Sequence, residues 1–204
     1  PNVVVVDLAH HGPPGDVRHA SHVLFTTAPF FPAGTCHVVA VDPGVGTARR
    51  PIVAAVGDQI YVAPDNGVLT DVLLAAAGRV MSVLLSNQAF FQHPISTTFH
   101  GRDIFAPVAA HLASGVPMTA FGPALDPGSL VRLHAPQAAM ADGLVRGEVT
   151  YIDVFGNAVT NLSRKHVASV STEAARLAIG VGDDAVCGLE PSYAHVEKGR
   201  LVAV

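Results

Sequence analysis

The chain has 204 residues with 12 Lys and Arg against 16 Asp and Glu, a formal net charge of −4, which leaves no basic footprint for nucleic acid. Half of it is apolar and only 14% is charged, well under the usual share of about a quarter, so it builds a large core or covers apolar surface in an oligomer. The longest apolar stretch, residues 68–85, is broken by Asp71 and Arg79 and falls short of the roughly 20 apolar residues of a membrane span.

Residues 3–8 are a β-branched apolar run, expected to be a strand buried on both faces. A loop through His10-His11-Gly12-Pro13-Pro14-Gly15 leads to Asp16, which is placed to cap a helix over 17–26 that Pro29 and Pro32 end. Residues 36–41 read as a second buried strand, and 52–56 with 59–63 as a hairpin across Gly57-Asp58. Asp65-Asn66-Gly67 is a turn, 68–77 a helix closed by Gly78, 81–85 a strand and 104–114 a helix. Strands alternating with helices predict a mostly parallel, Rossmann-like α/β sandwich over residues 1–135. A Pro-, Gly- and Ala-rich stretch follows, with 136–142 as linker. From 143 to 204 the runs 144–153, 158–162, 175–181 and 185–189 read as strands without a helical period, predicting a small antiparallel β-barrel domain; 200–204 also reads as a strand. Cys36 and Cys187 are far apart and read as reduced thiols of a cytoplasmic protein.

Ligands of parallel α/β sheets bind at the carboxyl ends of strands, and three loops carry suitable residues. The first is Val41-Asp42-Pro43-Gly44-Val45-Gly46-Thr47-Ala48-Arg49-Arg50. It sets a carboxylate straight after a strand, then two glycines that admit a ligand to the backbone, then guanidinium groups. It reads equally as a glycine-rich turn with a structural Asp–Arg pair, and it lacks the Gly-Lys-Ser/Thr of a P-loop. The second, Thr97-Thr98-Phe99-His100-Gly101-Arg102-Asp103, places a histidine before a helix, where neutral imidazole bonds a water or a carboxylate; a solvated or structural histidine is the plainer reading. The third, Tyr151-Ile152-Asp153-Val154-Phe155-Gly156-Asn157-Ala158-Val159-Thr160-Asn161, joins a carboxylate, an aromatic face and an amide, a set suited to an amino group and a purine, or simply a Gly-Asn turn.

In order and spacing these loops, together with Val3-Val4-Val5-Val6-Asp7-Leu8-Ala9-His10, Gly12-Pro13-Pro14-Gly15-Asp16-Val17-Arg18 and Ala63-Pro64-Asp65-Asn66-Gly67, resemble the S-adenosyl-L-methionine hydroxide adenosyltransferase family, which is related to the fluorinase and chlorinase. The resemblance implies cleavage of S-adenosyl-L-methionine at C5′ by water, giving adenosine and L-methionine, with S-adenosylmethionine as substrate, no cofactor and no metal. The hydrolase branch is marked by an Asp-Arg-His set, carried here by Asp42, Arg49 and His100. On this reading Asp42 accepts from the attacking water, Arg49 keeps Asp42 charged and oriented, and His100 is a second water contact. Asp153 faces the methionine ammonium, Phe155 stacks on adenine and Asn157 bonds its edge; Phe99 and Gly101 complete the substrate set.

The resemblance also implies a homotrimer whose sites form between neighbouring subunits. It places a ribose-binding Asp before Pro1 and a carboxylate-holding Ser-Arg segment after Val204, so the chain is expected to be a fragment. Asp42 stands where the fluorinase branch has Tyr, and Val45 where it has Thr. Gly101 occupies the position of the fluorinase's halide-contacting Ser, but the chlorinase also has Gly there. A carboxylate repels a halide and suits water. Three other readings compete: a chlorinase-like halogenase, a non-catalytic adenosine-binding module, and a metallohydrolase built on Asp7, His10, His11, His19 and His22. In the last, His19 and His22 share a helix face without a recognisable metal signature.

Overall fold

The computed structural model describes residues 3–76, 78–134, 136–171, 173 and 176–204. The expected helix end at Ala77 and strand start at Ala175 lie outside the described residues, as do Pro1 and Ala135, the stated limits of the first domain. The chain divides into two compact units, Pro1–His134 and Ala135–Val204.

The first unit is organised by β2 (Pro51–Val56) and β3 (Gln59–Pro64). Val56 pairs with Gln59, so the hairpin turn is Gly57-Asp58, with Gly57 at φ 61°. A positive φ at the first central residue alone is the type II′ turn, whose twist matches that of the flanking strands. A two-residue connection can join only antiparallel strands. Around this pair lie β1 (Cys36–Val38), β4 (Val80–Leu84) and β5 (Ala124–Leu125) in the order β1-β3-β2-β4-β5. Only β1 and β3 run parallel; β2–β3, β2–β4 and β4–β5 are antiparallel. The expected mostly parallel sheet is therefore corrected to a mixed one. Apolar runs buried on both faces signal a covered sheet but carry no strand direction.

Both faces are covered. Ile52, Ala54, Val56, Tyr61 and Ala63 pack with Leu24, Val68, Leu69, Val72 and Leu73, residues of and around α1 (Val17–Thr27) and α2 (Thr70–Ala75). The alternate residues Val53 and Val62 pack with Val83, Ile104, Phe105, Val108 and Phe121 on the side of α3 (Ala106–Ala113). Asp16 caps α1 as expected, accepting from His19 N–H at 2.9 Å. Ahead of α3 the chain makes a wide π-turn, Gly101–Phe105. Pro107 lacks the N–H that would bond the carbonyl of Asp103, and Gln92 N–H takes that carbonyl instead, at 2.8 Å.

The expected strand over 3–8 is absent: Val4 and Val5 are each 85% exposed and the backbone is irregular. β-branched residues favour extended chain, but a strand also requires a ladder, and none of the described strands pairs with this run.

The second unit contains three separate two-stranded antiparallel ladders: β6 (Ala139–Ala141) with β7 (Leu144–Arg146), β8 (Val149–Ile152) with β9 (Ala158–Thr160), and β10 (Ala178–Val181) with β11 (Asp184–Cys187). No closed barrel exists among the described residues. Strands of three or four residues, paired only two by two, leave edges that a barrel would have to close. The expected strand 144–153 is interrupted at Gly147, and β6 falls within the expected linker. The expected strand 200–204 is irregular, though the carbonyl of Ala203 accepts from Glu190 N–H at 2.8 Å. The unit also holds a helix, α4 (Arg164–Val170), capped reciprocally by Ser163 and His166. Among the described residues no helix is long and apolar enough to cross a membrane.

Candidate active site

The loop of residues 42–50 leaves the β1 side of the sheet and returns into β2. Two of its three charged groups, Asp42 and Arg49, meet at its base. Arg49 Nε donates to Asp42 Oδ2 at 2.7 Å, and Nη2 donates to the same oxygen. The side chains of Asp42 and Arg49 are only 6% and 8% exposed. A buried ion pair survives desolvation only when its geometry and remaining hydrogen bonds are good, and here one oxygen takes both N–H groups. The other, Asp42 Oδ1, is buried and receives no hydrogen bond from the described residues. The guanidinium also lies over the ring of Phe105, 5.4 Å from its centroid, a cation–π contact with a residue of the π-turn.

The second loop supplies the third member. Arg49 Nη2 lies 2.7 Å from His100 Nδ1. A guanidinium has no acceptor, so Nδ1 must accept and the imidazole proton must sit on Nε2. Burial and the nearby Arg49 charge lower the His100 pKa from its usual 6.5, while Asp42, Asp103 and the Ser96 backbone pull it upward. The geometry and the shift agree on neutral imidazole.

The two loops are held in contact by Gly46, which sits at φ 78°; a Cβ there would lie 2.7 Å from the carbonyl oxygen of Thr97. The second loop is braced from within by Asp103. Its buried carboxylate accepts from Arg102 Nε at 2.6 Å, Arg102 Nη2 at 3.0 Å and Ser96 N–H at 2.8 Å. The Arg102 hydrogen bond first, then that of Ser96, holds the Asp103 pKa down to about 2. Phe99 is 60% exposed, with Arg102 lying 5.1 Å from its ring centroid, and Gly101 opens the π-turn with its Cα side against Ala40. Sequence reasoning names Asp42, Arg49 and His100, and the fold brings them together. It misses Asp103 and Phe105, although a carboxylate next to an arginine at a helix start was visible.

Asp153, Phe155 and Asn157 share one loop of the second unit. Asp153 Oδ1 accepts from the N–H of Phe155 at 2.9 Å and of Asn157 at 2.8 Å, and Oδ2 accepts from Asn157 Nδ2 at 2.7 Å. The backbone and side-chain bonds from Asn157 lead in lowering the Asp153 pKa, against a smaller burial effect. Both residues thus spend polar atoms on their own turn, the plainer of the two uses that the sequence allows. Phe155 stands 87% exposed.

Of the metallohydrolase set, Asp7 and His10 pair at 3.0 Å on the surface. Among the described residues no group of three or more His, Cys, Asp or Glu is arranged to hold a metal ion.

Two family models match the chain: the SAM hydroxide adenosyltransferase N-terminal domain over residues 1–122 and the C-terminal domain over 147–204. A protein of Salinispora tropica named (R)-S-adenosyl-L-methionine hydrolase is 49% identical over 158 residues, covering 77% of this chain and 60% of its own length. One of the same name from Salinispora arenicola is 43% identical over 209 residues, covering 100% of this chain and 79% of its own. The crystal structure of an uncharacterized conserved protein from Thermotoga maritima aligns with a TM-score of 0.90 at 36% identity, over 99% of this chain and 77% of that one.

Proposed function

The chain belongs to the SAM hydroxide adenosyltransferase family, and from that premise we propose that it hydrolyses S-adenosyl-L-methionine to adenosine and L-methionine. The observation that carries the reading is Asp42: one carboxylate oxygen is saturated by Arg49, and the other is buried without a hydrogen bond from the described residues. An ionised carboxylate is an acceptor only, so Oδ1 offers an attacking water a place to lodge a hydrogen.

The sulfonium is already a good leaving group and needs no general acid. The weak partner is water, with a pKa of about 15.7 in bulk. In the proposed step the water oxygen bonds to C5′ opposite the sulfur. The C5′–S bond breaks, its electron pair goes to sulfur as the neutral thioether of methionine, and the water proton passes by way of Asp42 to solvent. Arg49 aims Asp42, and His100, with its proton on Nε2, is a second donor toward the water. A positioned base contributes roughly 10²–10⁴-fold and in-line placement adds to it. No metal or cofactor enters this scheme. Asp153, Phe155, Asn157, Phe99 and Gly101 are proposed to contact substrate, on the strength of the family resemblance. So are a homotrimer, which the 87% exposure of Phe155 favours, and a cytoplasmic location.

Incubation with S-adenosylmethionine, followed by chromatography in chloride buffer, tests the proposal. Adenosine and methionine in equal amounts, unaffected by a chelator, are expected. A main product of 5′-chloroadenosine, or binding of S-adenosylmethionine without turnover, would overturn it.

A further inference from the structure

Residues 65 and 66, at the centre of the Ala63-Pro64-Asp65-Asn66-Gly67 segment, touch both stems of the loop that carries Asp42 and Arg49. At its start, Asn66 Nδ2 donates to the carbonyl of Val41 at 3.0 Å, one residue before Asp42. At its end, Asp65 Oδ2 accepts from Arg50 Nε at 2.8 Å and also from Nη2, one residue after Arg49. The backbone repeats the second tie, with Asp65 N–H donating to the carbonyl of Arg50 at 2.8 Å. Both anchors are themselves held. Asn66 Oδ1 accepts from Val68 N–H at 3.1 Å, and Asp65 Oδ1 accepts from Val131 N–H at 2.8 Å. Arg50 also donates to Ser129, from Nη1 to Oγ at 3.2 Å and from Nη2 to the carbonyl at 2.6 Å. Asp65 follows directly on β3, an interior strand paired with β1 and β2, so the clamp is fixed to the body of the sheet.

We infer that Asn66 and Asp65 are positioning residues: a two-point clamp on Val41 and Arg50 that sets the spacing and aim of Asp42 and Arg49. They act through those neighbours and do not touch the reacting atoms. The inference rests on the reading of Asp42, Arg49 and His100 as the set that handles water. Its physical basis is the short lever. Each clamped residue is one peptide from a member of the ion pair, so a displaced stem is passed directly to the carboxylate or the guanidinium. Misplacement by about 1 Å costs roughly 100-fold in rate. A purely local role for Asn66, capping the turn into α2, uses a different atom, Oδ1, so the two roles are separable.

Asn66→Asp keeps an oxygen for Val68 N–H and removes the donor to Val41. Arg50→Lys keeps the positive charge at the other stem but gives up the fork on Asp65. Two readouts on the whole protein decide the matter, steady-state kinetics and nitrogen NMR of the His100 ring, whose Nδ1 acceptor signature reports whether Arg49 is in place, with thermal melting as the check on folding. For Asn66→Asp, kcat is expected to fall roughly 10- to 100-fold with KM within about 2-fold. The His100 signal should shift toward a mixture of tautomers, and the melting temperature should stay near that of the wild type. Normal kcat and an unchanged His100 signal would overturn the clamp. Should Asn66→Asp not fold, Arg50→Lys is judged by the same two readouts and the same criterion. A wild-type protein that does not turn over S-adenosylmethionine would remove the proposed reaction, while the His100 signal of the variants would still decide the clamp.

Discussion

Arg49 donates to Nδ1 of His100 across 2.7 Å, and because a guanidinium cannot accept, this contact fixes which ring nitrogen carries the proton. The histidine is thereby committed to one tautomer before any ligand arrives.

His100 is therefore expected to titrate below 6.5 by NMR, as burial and Arg49 lower its pKa. With the folded pKa lowered, its contribution to stability is complete above pH 6.5 and is lost as pH falls toward the folded value. Turnover should fall at more acidic pH, where the folded His100 takes up a proton at its lowered pKa, since a proton on Nδ1 would confront Arg49 Nη2. A midpoint above 6.5 would contradict the hydrogen-bond direction assigned here.

Asp42→Asn should lower kcat by roughly 10²-fold or more, as for loss of a general base, with little change in KM. Asparagine keeps the size of the side chain but removes the charge that accepts a proton. Such a pattern marks an interaction made mainly in the transition state. Kinetics and thermal melting of the same variant decide the matter. If binding, turnover and stability fall together, Asp42 is only a structural partner of Arg49. Near-normal kcat in a folded variant would remove Asp42 from the mechanism.

A second pH effect belongs to the core. His37 is buried, stacks on Tyr61 at 5.1 Å and bonds Gln59 Oε1 through Nε2 at 2.9 Å. Gln59 Nε2 is committed to the carbonyls of Phe31 and Pro32, so its oxygen must accept and His37 must donate. Desolvation lowers the His37 pKa against the smaller upward effect of Gln59. Its stabilising contribution is thus full above pH 6.5 and declines as pH falls below it. Melting curves between pH 8 and 5 should show a smaller pH dependence for His37→Phe than for the wild type. Above pH 6.5 the variant should also be less stable by about 1–3 kcal/mol, because Gln59 Oε1 loses its donor, and the gap should narrow as pH falls. Equal pH slopes would exclude His37 as the source.

Assembly is the remaining prediction. Light scattering at micromolar concentration should report a trimer, in keeping with 14% charged residues and with Phe155 and Val154 exposed at 87% and 88%. A monomer would refute the proposal of sites shared between subunits.

Much of this was legible in the sequence because it is local. Asp16 caps its helix and Gly57-Asp58 turns its hairpin, whereas Asp42, Arg49 and His100 come together as a set only through the family resemblance. Strand direction was legible only at the β2–β3 hairpin, where a two-residue turn forces an antiparallel pair; the parallel β1–β3 pairing leaves no such local mark, since β1 is only Cys36–Val38, with a buried His37 and an exposed Val38. The β6–β7 hairpin carried a signal, Asp142-Gly143, with φ 52° and 73°. The flanking Ala139 to Ala141 lack the β-branched residues that mark strands. The α4 helix is seven residues with none buried, too short and too exposed to print a period. Asp65 and Asn66 read as a turn, which they are. Their hold on Val41 and Arg50 spans 25 and 15 positions of sequence, and no local pattern announces such a reach.

The β2–β3 hairpin has one further consequence, for how the chain finds its fold. In a sheet with one wet face, sliding a strand by one residue exposes its apolar side and is rejected on polarity. Here both faces of β2 and β3 are apolar and covered, so a slipped pairing would bury as much hydrocarbon as the correct one. Choice of register then falls to the tight turn at Gly57 and to the fit of individual side-chain volumes. Hairpins of this length close in about 1–10 μs, ahead of the long-range docking of helices on either side. Lengthening the Gly57-Asp58 turn by one residue would therefore be felt first in refolding, as a population of mispaired chains, and only second in the stability of the molecules that fold correctly.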